Sequence, residues 1–203
     1  YLELIGRYPD VAPLLSNPRV SIKIDDGRRW LRAHPDERFD LVFQNTTWHW
    51  RAYTTQLLSA DYLREVKAHL KPGGVLASNS TASIDAYRTA LEVFPHVVRY
   101  KGFIYMSDQP LAKRPDTEQV LRASRIGDRP AFDDALFADG GVAARLVNDP
   151  LQSAQDYIAH SEGRDSARII TDMNLLPEFA HGRPPLFGWL SPLLPPTPSR
   201  EAN

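Results

Sequence analysis

The chain has 203 residues, a formal net charge of -1 and no cysteine. That length supports one domain with a sizeable core, and the near-neutral charge offers no bulk field for nucleic acid or an anionic membrane. The absence of cysteine excludes disulfides, thiolate catalysis and Cys-ligated zinc, and is compatible with a reducing compartment without requiring one.

The first residue is Tyr1, and "YLELIGRYP" reads as the middle of a helix with Leu2, Leu4 and Ile5 as its apolar positions. The chain is therefore expected to be a fragment or the processed remainder of something longer. "VSIKI" (residues 20–24) alternates apolar and polar, the pattern of a strand near a sheet edge. "DDG" closes it, and "RRWLRA" opens a helix. "FDLVF" (residues 39–43) is a near-continuous apolar run, as expected of a central parallel strand covered on both faces. Ser59 is the expected N-cap of a helix through Leu70, with Leu63, Val66 and Leu70 on one face. "KPGG" (residues 71–74) stops that helix, "VLASN" follows as a strand, and a helix runs from about Ser83 to Val93. "VVRYKGFIYMS" holds two short strands around Lys101 and Gly102, a hairpin signal.

Strand and helix thus alternate from residue 20 to residue 107 and finish in a hairpin. The predicted class is α/β, a parallel sheet with helical crossovers. A terminal antiparallel hairpin on such a sheet narrows this to a Rossmann-like class I methyltransferase fold, represented by its later strands. Beyond Leu111, helices are expected over residues 116–125, 130–138 and 148–160, and a short strand over 168–171. The domain reading is 1–111 as a partial nucleotide-binding domain, 112–182 as a helical C-terminal extension, and 183–203 as a Pro-rich disordered tail.

"FQNTTWHW" (residues 43–50) runs from strand into a polar, aromatic loop that carries no carboxylate. Asn45 and Thr46 stand where an α/β transferase places catalytic groups. His49 is the remaining acid/base candidate; its alternative is a histidine packed between Trp48 and Trp50. Those two tryptophans would share a side if extended, as a stacking wall or as a surface under a partner. Asp172, Asn174 and Glu178 gather near the end of the domain, where turn chemistry and helix capping are the preferred reading and a place over the active-site mouth the alternative. The histidines show no metal-ligand spacing, so no metal site is expected. No basic aromatic stripe for nucleic acid is present.

The elements 20–27, 39–47, 57–62 and 70–79 resemble, in order and spacing, the spermidine synthase (polyamine aminopropyltransferase) family, over about the second half of its nucleotide-binding domain. The resemblance is closest to spermidine synthase-like proteins that are often fused to membrane segments. It implies S-adenosylmethionine or its decarboxylated form as the nucleotide substrate. Asp26 and Gly27, with Asp25 beside them, match the pair that grips adenine: a carboxylate accepts from the exocyclic amine and a glycine lets backbone approach the ring. The same residue types cap helices, and the two roles are compatible. Asn45 matches the family's catalytic Asp, and an amide cannot act as a general base near neutral pH. Trp48 falls on a second family Asp that helps hold the polyamine, Ala52 on a Pro that lines the thioadenosine site, and Asn79 on a Gln. The Tyr-Pro-Ser-Gly polyamine segment has no match near residues 103–111.

A transferase with an acceptor other than a diamine is therefore expected. The alternative is a non-catalytic nucleotide-sensing or structural module attached to a membrane protein. The expected partner is a small nucleotide and not nucleic acid; a membrane-spanning segment upstream and a homodimer are both left open. The expected location is cytoplasmic, including as the cytosolic domain of a membrane protein.

Overall fold

The structure is a computed structural model of the 203-residue chain, and it describes residues 2–45, 55–80 and 82–174. The chain divides into two compact units, residues 1–36 and 37–203.

In the first unit, helix α1 spans Leu2–Ile5 and a short 3-10 turn follows at Ala12–Ser16. Helix α2 spans Gly27–Ala33, as "GRRWLRA" leads one to expect. Residues 20–24 do not form the expected strand. Their alternation suits a sheet, but among the described residues no strand pairs with them, and an extended segment without a partner forms no ladder. Ile22 and Ile24 are exposed, Ile24 to 86 %.

The second unit is built on a five-stranded sheet in the order β1-β2-β4-β3-β7. Strand β1 (Phe39–Gln44) runs parallel to β2 (Leu70–Asn79). The hairpin β3 (His96–Tyr100) and β4 (Phe103–Ser107) follows, with β4 folded back antiparallel between β2 and β3. A two-residue strand β7 (Gln152–Ser153) closes the far edge against β3. The fold is α/β, and a parallel pair followed by a hairpin whose second strand inserts beside it is the later part of a Rossmann-like class I methyltransferase sheet.

Helices α3 (Ala60–Ala68), α4 (Ile84–Val93) and α7 (Ala154–Ala159) cover one face of the sheet. Leu63 and Val66 of α3, and Ala86, Tyr87 and Ala90 of α4, are buried with Leu76, Val97, Ile104 and Met106 of the sheet. Each larger apolar side chain buried this way contributes about 1.5–3 kcal/mol. Ser59 caps α3 as expected, its Oγ accepting from Tyr62 N at 3.1 Å. The helix ends at Ala68, and Leu70 begins β2 instead of ending α3.

"KPGG" lies inside β2, as an irregularity in its pairing with β1: Phe39 pairs with Leu70, and the next registered pair is Leu41 with Val75. A Cβ on Gly74 would stand 2.9 Å from both Lys71 O and Phe39 O, so only glycine lets the two backbones approach there. β1 itself is a correction. Its composition reads as a central strand, yet among the described residues it pairs on one side only, and Leu41 and Phe43 are 56 % and 59 % exposed.

The C-terminal part is less helical than expected. Helix α5 (Thr117–Ala123) forms, followed by a small hairpin of β5 (Arg125–Ile126) and β6 (Arg129–Pro130). The helix expected over 130–138 is a single turn, Asp134–Phe137. Helix α6 (Val142–Asn148) ends where the expected 148–160 helix was to begin, and α7 starts only after Ser153, whose Oγ accepts from Asp156 N.

Residues 168–172 are no strand but a strap bonded to helix side chains. Arg168 N donates to Asp85 Oδ1, Ile170 N to Thr89 Oγ1 and Asp172 N to Asp61 Oδ2, all at 2.8–2.9 Å. Alternate amides of an extended chain thus find acceptors without a neighbouring strand. The expected disordered tail lies outside the described residues.

Candidate functional site

In open α/β sheets, ligands bind outside the carboxyl ends of the parallel strands. Here those ends are Gln44–Asn45 on β1 and Asn79–Ser80 on β2. Asn79 Nδ2 donates to Asn45 Oδ1 at 3.1 Å, and Asn45 is exposed. Asn45 thus directly follows β1 and is bonded through its side chain to the end of β2. Both side chains are neutral amides, and neither can act as a base. Thr46 and His49, like Trp48, Trp50 and Ala52, lie outside the described residues.

Gln44 anchors the start of the next segment: its Nε2 donates to Leu57 O at 3.0 Å, in the 3-10 turn Thr55–Leu58. Ser59 follows directly, and its Oγ donates to Asp172 Oδ1 at 2.6 Å. Asp172 thus serves the N-terminus of α3, in line with the capping reading. Glu178 lies outside the described residues.

The loop after β2 is held under strain. Ala82 adopts φ +64°, a left-handed conformation that costs a non-glycine residue about 1 kcal/mol or more. Two contacts hold it: Ala82 N donates to Ser80 Oγ at 3.3 Å, and Tyr157 Oη donates to Ala82 O at 3.0 Å.

Three buried side-chain atoms among the described residues have no hydrogen-bond partner: Gln44 Oε1, Ser78 Oγ and Arg99 Nε. They share one cross-strand row, since Gln44 pairs with Ser78, Ser78 with Ile104, and Ile104 with Arg99. Unpartnered buried polar groups are uncommon, and three in one row at the carboxyl ends of β1 and β2 mark this end of the sheet as the polar one. The sequence reading passed over Gln44, Ser78 and Arg99. The available signal was a polar residue at or next to the end of a strand with an apolar middle, as Gln44 in "FDLVFQ" and Arg99 in "HVVRY".

In the first unit, Asp26 is the N-cap of α2, with Oδ1 accepting from Arg29 N at 2.8 Å. Asp25 takes the Arg29 side chain, which holds its carboxyl below the ordinary value, and also accepts from Asp26 N. The capping role is thus realised. A Cβ on Gly27 would meet nothing within 4 Å, and its φ is not left-handed, so neither packing nor conformation in this unit requires glycine there.

Among the described residues, no group of three His, Cys, Asp or Glu side chains could hold a metal ion, and no helix is long and apolar enough to cross a membrane.

No protein-family model matches the chain. Among solved structures, the chain is similar to a probable spermidine synthase from Corynebacterium glutamicum ATCC 13032, at 17 % identity and a TM-score of 0.47. The match covers 80 % of this chain and 60 % of that protein.

Proposed function

We propose that the chain is part of a spermidine synthase-like transferase that uses S-adenosylmethionine or its decarboxylated form. The observation that carries the proposal is the Asn45–Asn79 amide pair at the carboxyl ends of adjacent parallel strands. In the reaction envisaged, an acceptor lone pair attacks the carbon attached to the sulfonium. The S–C bond breaks, a neutral thioether leaves, and the acceptor's proton goes to solvent. Alignment of nucleophile and sulfonium is the main requirement. A neutral amide at Asn45 orients an amino acceptor by hydrogen bonding without deprotonating it, and Asn79 orients Asn45. Gly27 supports the nucleotide role, since the unit gives no other reason for a glycine there; Asp26 is proposed to reach the adenine amine beside its capping bond.

The test is turnover. The full chain is incubated with S-adenosylmethionine or its decarboxylated form and a panel of amines, and thioether product is quantified by mass spectrometry. Product that falls at least ~10-fold in Asn45→Ala supports the proposal, on the scale of losing one or more positioning hydrogen bonds.

One observation favours a second reading, a nucleotide-binding module without catalysis: the side chain that ends β1 is an amide and cannot act as a base. Nucleotide binding without product from any acceptor would select it.

A further inference from the structure

Helices α3, α4 and α7 cover one face of the sheet, and the side chains that alternate with the buried ones point to the other. Leu41, Val75, Tyr105 and Val98, on four neighbouring strands, form the floor of a groove of about 350 Å³ on that second face. Leu111 after β4, Leu146 of α6 and Leu151 before β7 line it from the C-terminal part of the chain. Its volume falls within the roughly 300–1,000 Å³ of small-molecule sites, which are concave, mostly apolar and carry few polar groups.

Among the described residues, Lys113 is the one charged residue that lines the groove. Its ammonium donates to Leu146 O and Val147 O near the end of α6, and lies 5.0 Å from the centroid of the Tyr100 ring. These partners fix its position but are neutral, so the ammonium keeps its charge. No carboxylate among the described residues lines the groove. Asp149 feels the Lys113 charge but is paired with Lys101. Its hydrogen bond to Lys101, with the charges of Lys113 and Arg145, holds its carboxyl below the ordinary value. Three cations thus act on one carboxylate, and the groove itself holds a cation and no anion. Burial raises the Tyr105 phenol above its ordinary value of 10, so that side chain brings no negative charge near neutral pH.

We propose that this groove binds a small carboxylic acid, with its apolar body against Val75, Val98 and Tyr105 and its carboxylate on the Lys113 ammonium. A single ammonium matches the single negative charge of a carboxylate better than the double charge of a phosphate. Tyr100 and Tyr105, on adjacent strands, both line the groove and suit a flat ring. The proposal rests on its own observations and not on the transferase reading.

The test is calorimetric titration of the full chain with 2-naphthoate, with 2-naphthylmethanol as its neutral counterpart and acetate as the charge without the apolar body. The wild-type chain should bind naphthoate saturably, the alcohol at least ~10-fold more weakly, and acetate not at all. Lys113→Met keeps the stem and removes the charge, and should bring naphthoate down to the affinity of the alcohol. Val98→Phe puts a ring into the groove from its floor and should abolish binding of both. No saturable binding of naphthoate by the folded wild-type chain overturns the proposal. Equal affinity for the acid and the alcohol does so too, as does undiminished naphthoate affinity in Val98→Phe. The last two outcomes stand whether or not Lys113→Met folds.

Discussion

Ser59 and Asp172 are 113 positions apart, and the Ser59 hydroxyl donates to the Asp172 carboxylate at 2.6 Å. The same hydroxyl oxygen accepts from Tyr62 N to cap α3. One side chain therefore starts a core helix and fastens the end of the strap to it. Ser59→Ala should destabilise the chain by about 1–2 kcal/mol, through the lost cap and the lost bond to Asp172. Asp172→Asn retains an acceptor and should cost less, about 1 kcal/mol. Urea unfolding midpoints at unchanged m-value measure both.

Thr89 makes a similar connection from α4. Its Oγ1 accepts from Ile170 N at 2.8 Å and donates to Asp85 O at 2.6 Å. Thr89→Val keeps the shape and leaves a buried N–H unpartnered, at a cost of about 1–3 kcal/mol. Thr89→Ser keeps the acceptor and should recover most of that. Hydrogen exchange at the Ile170 amide should quicken in the first variant and not in the second.

Two glycines should respond in opposite ways. Gly74→Ala forces a Cβ to 2.9 Å from two carbonyl oxygens and should destabilise by about 1–3 kcal/mol. Gly27→Ala meets open space within its unit, and its stability should stay within about 0.5 kcal/mol of the wild-type value. If backbone at 27 approaches adenine, nucleotide affinity should nevertheless fall in Gly27→Ala. Unchanged affinity would remove Gly27 from the proposed site.

Tyr87 is fully buried, and burial raises its phenol above 10 against the smaller opposing effect of the Ser80 hydrogen bond. A group whose folded value is raised contributes stability that is complete below its unfolded value. That contribution is lost as pH climbs through the folded one. Stability should therefore decline above about pH 10. Tyrosinate absorbance of the native chain should show a late-titrating phenol that Tyr87→Phe removes.

Much of the second unit was legible because local chemistry and tertiary packing agree there. The Ser59 cap, the helix ending at Val93 and the Lys101–Gly102 hairpin each appear where the sequence places them. Residues 20–24 carry a strand pattern, but a pattern does not supply a partner. Residues 168–172 misled in another way, since their amides are satisfied by Asp85, Thr89 and Asp61 and not by a neighbouring strand. Around residues 130–138, Phe132 packs against Phe137, and Arg122 lies 3.8 Å from the Phe137 ring centroid. These contacts use apolar residues that periodicity assigned to a helix. At the site, Asn45 was legible from its place at a strand end. Its bond to Asn79, and the row of unpartnered atoms through Arg99, depend on cross-strand register, which the sequence does not display.

The measurement that tests the central claim most directly is calorimetric titration of the full chain with S-adenosylmethionine, decarboxylated S-adenosylmethionine and methylthioadenosine, repeated on Asp26→Ala and Asn45→Ala. The account predicts saturable binding of at least one nucleotide, at least ~10-fold weaker in Asp26→Ala. Nucleotide affinity should change little in Asn45→Ala, whose proposed role is toward the acceptor. No binding of any of the three by the folded wild-type chain, or equal affinity in Asp26→Ala, would contradict it.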